Sequence, residues 1–156
     1  MNKEIQSIIR NLQNVLGGEP WYGEPVYKIL EDAGKTDVFK HPAETQHSQI
    51  EILYHMVTWS EFTLNSIQKK EKNIIENIES LDWRSITSQE HTWEKGVGLL
   101  KESTKNIIGL LQTLDDDSLS DSIDYRKYDK RFLLNGLIQH HIYHAGQIAF
   151  IKNLCR

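Results

Sequence analysis

The sequence lacks most of the features that mark secreted, membrane or nucleic-acid-binding proteins. Its one cysteine, Cys155, has no partner for a disulfide within the chain, which suits a reducing cytosol. There is no apolar run of about 18 residues, as a membrane-spanning helix requires. The first residues also lack the apolar core of a signal peptide. A net charge of −4, with lysines and arginines scattered, argues against nucleic acid or a membrane surface as partner. We expect a cytoplasmic protein.

The composition is that of an ordinary globular domain. Of the 156 residues, 38% are apolar and 26% are charged. A chain of this length can bury a core of its own, and we find no internal repeat, low-complexity tract or composition shift. The sequence therefore predicts a single domain over residues 1–156.

Apolar residues that recur at three- and four-residue steps predict an all-α protein. We expect a long crossover over residues 69–87, with a helical fragment near residues 74–78. After it, Ser88 is the predicted N-cap of the third long helix. The acidic stretch "DDDSLSD" lacks the glycine and glutamate of a calcium loop, so we interpret it as a solvated turn. The pattern predicts a four-helix bundle with a short extra helix at residues 25–33; the long helices span residues 3–16, 44–68, about 88–114 and 129–154.

The fourth predicted helix is apolar on two faces. One face carries Leu133 and Leu137, and the other, at least about 100° away, carries Leu134 and Ile138. A helix with two apolar faces has to be covered on both. One face suits the bundle core, and the second suits another helix or a second subunit.

Three histidines fall within the stretch "QHHIYHAGQI", at residues 139–148. His140 and His144 are four residues apart, and His141 and His144 are three apart, so either pair can leave one face of a helix. His55 lies on the core-facing side of the second helix and could supply a third ligand. Three imidazoles with an open fourth position are typical of catalytic metal sites, and zinc, nickel, copper or iron would suit them. The alternative is a metal-free bundle whose histidines only form hydrogen bonds.

Four segments resemble those of the DinB/YfiT-like superfamily of metalloenzymes. "QHHIYHAGQIAFIK" resembles the signature of its fourth helix, and "EILYHMVTWSEF" resembles part of its second. "GEPWYGEPVYKIL" and "SLDWRSI" resemble its Trp-centred and Asp-Trp segments. The likeness covers nearly the whole chain, in order.

The resemblance implies an up-down-down-up bundle with a long crossover between helices 2 and 3. It also implies homodimers and a divalent metal, usually zinc or nickel, held by His55, His140 and His144. His141 falls where relatives often have a polar residue such as Asp. Tyr22 stands where relatives often have a histidine, so the chain departs from the family pattern at this position. Characterised relatives include bacillithiol S-transferases and the mycothiol-dependent maleylpyruvate isomerase, which implies a low-molecular-weight thiol as cofactor.

Several other residues are candidates for the surroundings of such a site. Gln147, close in projection to His140, could hydrogen-bond a ligand imidazole or a bound water, although it could also be a packing amide. Tyr143 is a packing residue or a proton donor. Glu51, one turn before His55, could orient that ring or act as a base, but we favour a solvated surface position. Three aromatic residues could form the wall of a pocket or belong to the core: Trp21, Tyr22 and Trp59.

Two classes of function follow from this pattern. The first is a metal-dependent enzyme, either a thiol-dependent S-transferase or a metal-dependent hydrolase, and we favour the transferase. The second is a non-catalytic, stress-related bundle protein that binds a metal or a small ligand. An open coordination position beside a pocket would favour the enzyme.

Overall fold

The chain folds into helices joined by loops. The computed structural model describes residues 2–42, 46–69 and 76–155. The described helices are α1 (Lys3–Gly17), α2 (Val26–Ala33), α3 (Gln49–Gln68), α4 (Ile78–Leu81), α5 (Trp93–Leu111) and α6 (Lys130–Leu154), with a 3-10 helix, Asp116–Ser120, before α6. Within these ranges there is no β-strand, only an isolated bridge between Ser122 and Asp129. The predicted all-α class is confirmed.

Helix α3 lies at the centre of the packing, against α5 on one side and α6 on the other. Helices α1 and α2 cover a further side of α6. The approach of α5 to α3 depends on Gly96, because a Cβ there would lie 2.8 Å from Leu53 Cδ2. None of the described helices combines the length and the apolar character needed to cross a bilayer.

Two helices begin later than the periodicity predicts. Helix α3 begins at Gln49 and not near residue 44, because Ser48 and Glu51 form a capping box at its start. Glu51 Oε2 accepts the Ser48 backbone N–H at 2.7 Å. Helix α5 begins at Trp93 with Thr92 as its N-cap, so the predicted cap at Ser88 is wrong. In both cases the cap fixes the start more strongly than the apolar pattern.

The acidic stretch after α5 has a structural role that its composition did not predict. It includes the 3-10 helix, and the Asp116 carboxylate accepts the backbone N–H groups of Glu4 and Ile5 at 3.1 and 2.9 Å. Amides at the first turn of a helix have no partner within that helix. Asp116 therefore caps α1 across the fold, and the bonded amides hold the pKa of its carboxyl below its usual range.

Helix α6 begins where it was predicted, and both of its apolar faces are buried within the chain. Asp129 caps its first turn by accepting the Phe132 N–H at 2.8 Å. Leu133 and Leu137 are buried on one face, and Leu134 and Ala145 on the other. Because this chain's own helices cover the second face, a second subunit is not needed to bury it.

The crossover from α3 to α5 passes close to α3. Its described part, residues 76–92, contains the short helix α4, while residues 74 and 75 of the predicted helical fragment lie outside the described residues. Directly after α4 the chain places Asp82 and Trp83 against His55. This contact brings the crossover to the candidate site.

Candidate metal centre

Three histidine side chains from two helices converge between α3 and α6. His55 Nε2 lies 3.0 Å from His144 Nε2 and 2.9 Å from His140 Nε2. Each residue offers one ligand atom, and these three atoms lie within 4.8 Å of one another. Nitrogen atoms bound tetrahedrally at about 2.0–2.1 Å from zinc are about 3.3 Å apart. The distances from His55 to His140 and to His144 are therefore within a few tenths of an ångström of the spacing between zinc ligands.

The site keeps its imidazoles neutral, which is the form that binds a metal. Burial, reinforced by the neighbouring His144, lowers the pKa of His140 to about 2. Burial and His55 lower the pKa of His144 to about 4. The pKa of His55 is also lowered by burial, although the Asp82 carboxylate opposes this shift. Because the three pKa values are lowered, protons compete only weakly with a divalent metal for these nitrogen atoms at neutral pH.

Asp82 fixes the orientation of His55 from outside the cluster. Its Oδ1 lies 2.5 Å from His55 Nδ1 and accepts the indole N–H of Trp59 at 2.8 Å. With a carboxylate beside Nδ1, the proton of His55 stays on that nitrogen and the Nε2 lone pair faces the cluster. Residue spacing did not point to Asp82; the only signal was the Asp-Trp pair that resembles the family's crossover.

Gln147 has the corresponding role for His144. Its Oε1 accepts a hydrogen bond from the Nδ1–H of His144 at 2.6 Å, which keeps the proton on Nδ1 and leaves the Nε2 lone pair free. The amide nitrogen of Gln147 then donates to the Tyr143 hydroxyl at 3.2 Å. The ligand imidazole, the amide and the phenol thus form a chain that leads to the surface, where Tyr143 is exposed.

Trp83 covers the cluster on the crossover side. Its ring stacks on His55 at a centroid distance of 4.0 Å, and its other face stacks on His47 at 3.7 Å. The indole is thus held between two imidazoles. Neither Trp83 nor His47 was a candidate from the sequence, because a stack between distant segments leaves no local pattern.

The structure separates His141 from its two neighbours on α6. His141 is fully buried, and its Nε2 lies 3.3 Å from the hydroxyl of Ser60. Its Nδ1 has no hydrogen-bond partner among the described residues. His141 does not belong to the cluster that His55, His140 and His144 form.

Three other candidates lie away from the cluster. Glu51 pairs with Ser48 and with His41, whose Nε2 is 3.0 Å from Glu51 Oε2, so Asp82 and not Glu51 contacts His55. Trp21 is fully exposed and Tyr22 is nearly half exposed, which is inconsistent with the wall of a closed pocket. The third aromatic candidate, Trp59, lies beside the cluster at a ring centroid distance of 6.1 Å from His140.

The burial of His141 predicts a dependence of stability on pH. Burial, with a contribution from His144, lowers the pKa of His141 to about 3, whereas an unfolded histidine titrates near 6.5. Between these values only the unfolded chain takes up the proton, so His141 alone should lower the free energy of unfolding of the metal-free protein by about 1.4 kcal/mol per pH unit as the pH falls below about 6.5. Above that pH, His141 does not make the free energy of unfolding depend on pH.

Urea unfolding of chelator-treated protein at pH 7 and pH 5 measures this effect. His55, His140 and His144 also titrate, so the comparison is between the native chain and His141→Asn, which keeps a polar side chain but does not ionise. The variant should lose less stability between the two pH values. Equal losses would mean that His141 is accessible to protons in the folded protein.

The comparison with known families places the chain in a family. The family model of the DinB superfamily matches residues 26–148, a range that contains all three histidines of the cluster as well as Asp82 and Gln147. Comparisons with curated proteins and with solved structures returned no match.

Proposed function

Because the chain belongs to the DinB superfamily, we propose that His55, His140 and His144 bind a divalent metal, zinc or nickel, in a cytoplasmic enzyme that acts on a small molecule. The observation that carries the proposal is the convergence of three Nε2 atoms, two of them at 2.9 and 3.0 Å from the third. In residues 2–42, 46–69 and 76–155, no further histidine, cysteine or carboxylate joins the group. Three protein ligands leave a position for a substrate.

The reaction that we favour is the transfer of a group to a low-molecular-weight thiol. A bound divalent metal would act as a Lewis acid that lowers the pKa of a thiol at its open position. The thiolate sulfur would then form a bond to an electrophilic carbon of the substrate, and the leaving group would depart with its bonding electron pair. The same site could activate water for hydrolysis, which is the alternative reaction.

The residues around the ligands support either reaction. Asp82 and Gln147 keep the protons of His55 and His144 on the nitrogens that face away from the cluster. The Tyr143 hydroxyl accepts from the amide nitrogen of Gln147 and so holds the Gln147 oxygen towards His144. These contacts orient the ligands before any substrate binds, and such preorganisation lowers the cost of reaching the transition state.

An assay with two substrate types tests the proposal. Protein loaded with zinc or nickel is mixed with a small thiol, first L-cysteine and then coenzyme A, together with 1-chloro-2,4-dinitrobenzene. A parallel assay uses p-nitrophenyl acetate without thiol. We expect turnover in the thiol assay that disappears after chelation. Turnover only in the ester assay favours the hydrolase, and no metal-dependent turnover in either assay favours a non-catalytic binding protein.

We also propose that the protein forms a homodimer through the outer face of α6. Phe132, Tyr143 and Phe150 are 66%, 64% and 63% exposed. Their spacings of 11 and 7 residues are close to three and two helical turns, so the three side chains line one stripe. A stripe of this kind can pack against its own copy about a two-fold axis.

Replacing Phe150 with Glu tests the dimer. The substitution places a charge near the same charge of the symmetry-related copy, so we expect the molar mass in light scattering to fall from that of a dimer to that of a monomer. The control is Lys105→Glu on α5, an exposed residue that lies outside this stripe. A monomeric native chain at the highest concentration measured would contradict the proposal.

A further inference from the structure

An apolar cavity opens beside the histidine cluster. It has a volume of about 210 Å³ and lies between α3, α6 and the loop before α6. His140, one of the three cluster histidines, forms part of its wall. Most of the other wall residues are aromatic or aliphatic: Trp59, Tyr128, Phe132, Leu133 and Leu137. A cavity of about 150 Å³ with apolar walls is large enough for benzene, so this one can take a group of that size.

Gly136 keeps the cavity open. It lies inside α6, where glycine costs about 1 kcal/mol relative to alanine, and it forms part of the cavity wall. A Cβ at this position would meet no other atom within 4 Å. Packing within the chain therefore does not require glycine here. The missing side chain leaves space for a group that the chain itself does not supply.

The contents of the wall define what this group can be. Four wall residues, Trp59, Thr63, Tyr128 and His140, each carry a polar side-chain group, and none of the wall side chains bears a formal charge. Burial of an apolar group here is favourable, whereas burial of a charged group is unfavourable because the wall offers no opposite charge to pair with it. Since His140 belongs to both the cavity and the cluster, a molecule with an apolar end and a metal-binding end can reach both at once.

We propose that this cavity binds the apolar group, alkyl or aromatic, of a small substrate whose polar end lies at the three histidines. The inference rests on the proposed metal site and names the class of substrate for it. The cavity selects for size and apolar character, and the histidine cluster holds the reacting end. Gly136 sets the depth of the cavity and hence the length of the group that it accepts.

A series of straight-chain thiols tests the inference. Protein loaded with Co²⁺ is titrated with ethanethiol, propanethiol, butanethiol, pentanethiol and hexanethiol, and binding is followed by the thiolate-to-cobalt absorption band. We expect the affinity to rise about fourfold for each added CH₂ until the chain outgrows the cavity. An affinity that does not depend on chain length would overturn the inference.

Two glycine variants separate the cavity from general hydrophobicity. Gly136→Leu should fill the cavity and remove the dependence on chain length. Gly136→Ala, a smaller change that tests the same point if the leucine variant does not fold, should weaken the dependence. The matched control is Gly109→Leu on the exposed side of α5, where a Cβ also meets nothing within 4 Å. Identical behaviour of the position-136 and position-109 variants would overturn the inference.

A third measurement keeps the cavity separate from the metal site. Toluene is added to chelator-treated protein, and the methyl resonances of Leu133 and Leu137 are followed by NMR. We expect them to shift in the native chain and not in Gly136→Leu. If toluene binds but the native chain retains no metal, the cavity stands and the proposed function fails. If metal binds, but toluene causes no shift and the longer thiols bind no more tightly than ethanethiol, the proposed function stands and this inference fails.

Discussion

Replacing His140 with alanine is expected to remove the bound metal, and replacing its neighbour His141 is expected to leave it in place. His140 Nε2 faces the Nε2 of His55 at 2.9 Å, whereas His141 points to Ser60 on another part of α3. Loss of one of three protein ligands should weaken binding by ~10²-fold or more, since changes to groups that only support a ligand already cost 10–100-fold. The measurement is metal content per chain after gel filtration, by plasma mass spectrometry.

Adjacent residues make this comparison sharp, because the two variants change the same helix by the same number of atoms. His144→Ala should behave as His140→Ala does. His141→Ala should retain metal but lose about 1–3 kcal/mol of stability, because it removes a fully buried side chain. Circular dichroism during thermal unfolding checks that each variant is folded. Retention of metal by His140→Ala together with its loss from His141→Ala would show that the three-histidine cluster described above is not the metal site.

Replacing Asp82 with asparagine is expected to weaken metal binding by ~10–100-fold without removing a ligand. Its carboxylate is 2.5 Å from His55 Nδ1 and also accepts the Trp59 indole N–H. The amide oxygen of asparagine can still accept both N–H groups, since both reach the same Oδ1 in the native chain, but it does not supply the negative charge that holds the proton on Nδ1. A competition titration against a chelator of known affinity gives the dissociation constant for the native chain and for the variant.

Glu51→Gln is the matched control for Asp82→Asn. Both changes replace one carboxylate with an amide, but Glu51 lies at the start of α3, in the capping box and against His41. The Glu51→Gln variant should lose about 1 kcal/mol of stability and leave the metal dissociation constant unchanged. An equal loss of affinity in the two variants would mean that net charge, and not the contact with His55, explains the effect of Asp82.

Local patterns in the sequence predicted the long helices well. The periodicity of α6 placed its start within one residue, because this signal lies within the helix itself. The start of α3 was predicted too early because residues 44–48 are polar and give no apolar signal, and the capping box of Ser48 and Glu51 sets the first turn at Gln49. The spacing of the histidines left two pairs open, and only the resemblance favoured His140 over His141.

What the sequence did not predict depends on contacts between distant segments. Asp82 and Trp83 reach His55 from a crossover that has no clear helical pattern, and Asp116 caps a helix that lies more than 100 residues before it. The apolar cavity is likewise formed by α3, α6 and a loop, so no single segment indicates it. Conversely, Trp21 belongs to a segment that resembles the family but is fully exposed. Such positions depend on how the helices pack, which a one-dimensional pattern does not determine.

The proposed ligands come from two helices that are far apart in the sequence: His55 on α3, and His140 and His144 on α6, 85 and 89 residues later. A metal held by all three would be a reversible cross-link in a chain that has only one cysteine and so no disulfide of its own. Binding to the folded state alone stabilises it by RT ln(1 + [M]/Kd), so each tenfold increase in free metal above Kd adds about 1.4 kcal/mol. On the proposed function, the lifetime of the folded protein would therefore follow the supply of metal, and a shortage would reduce both its activity and its abundance.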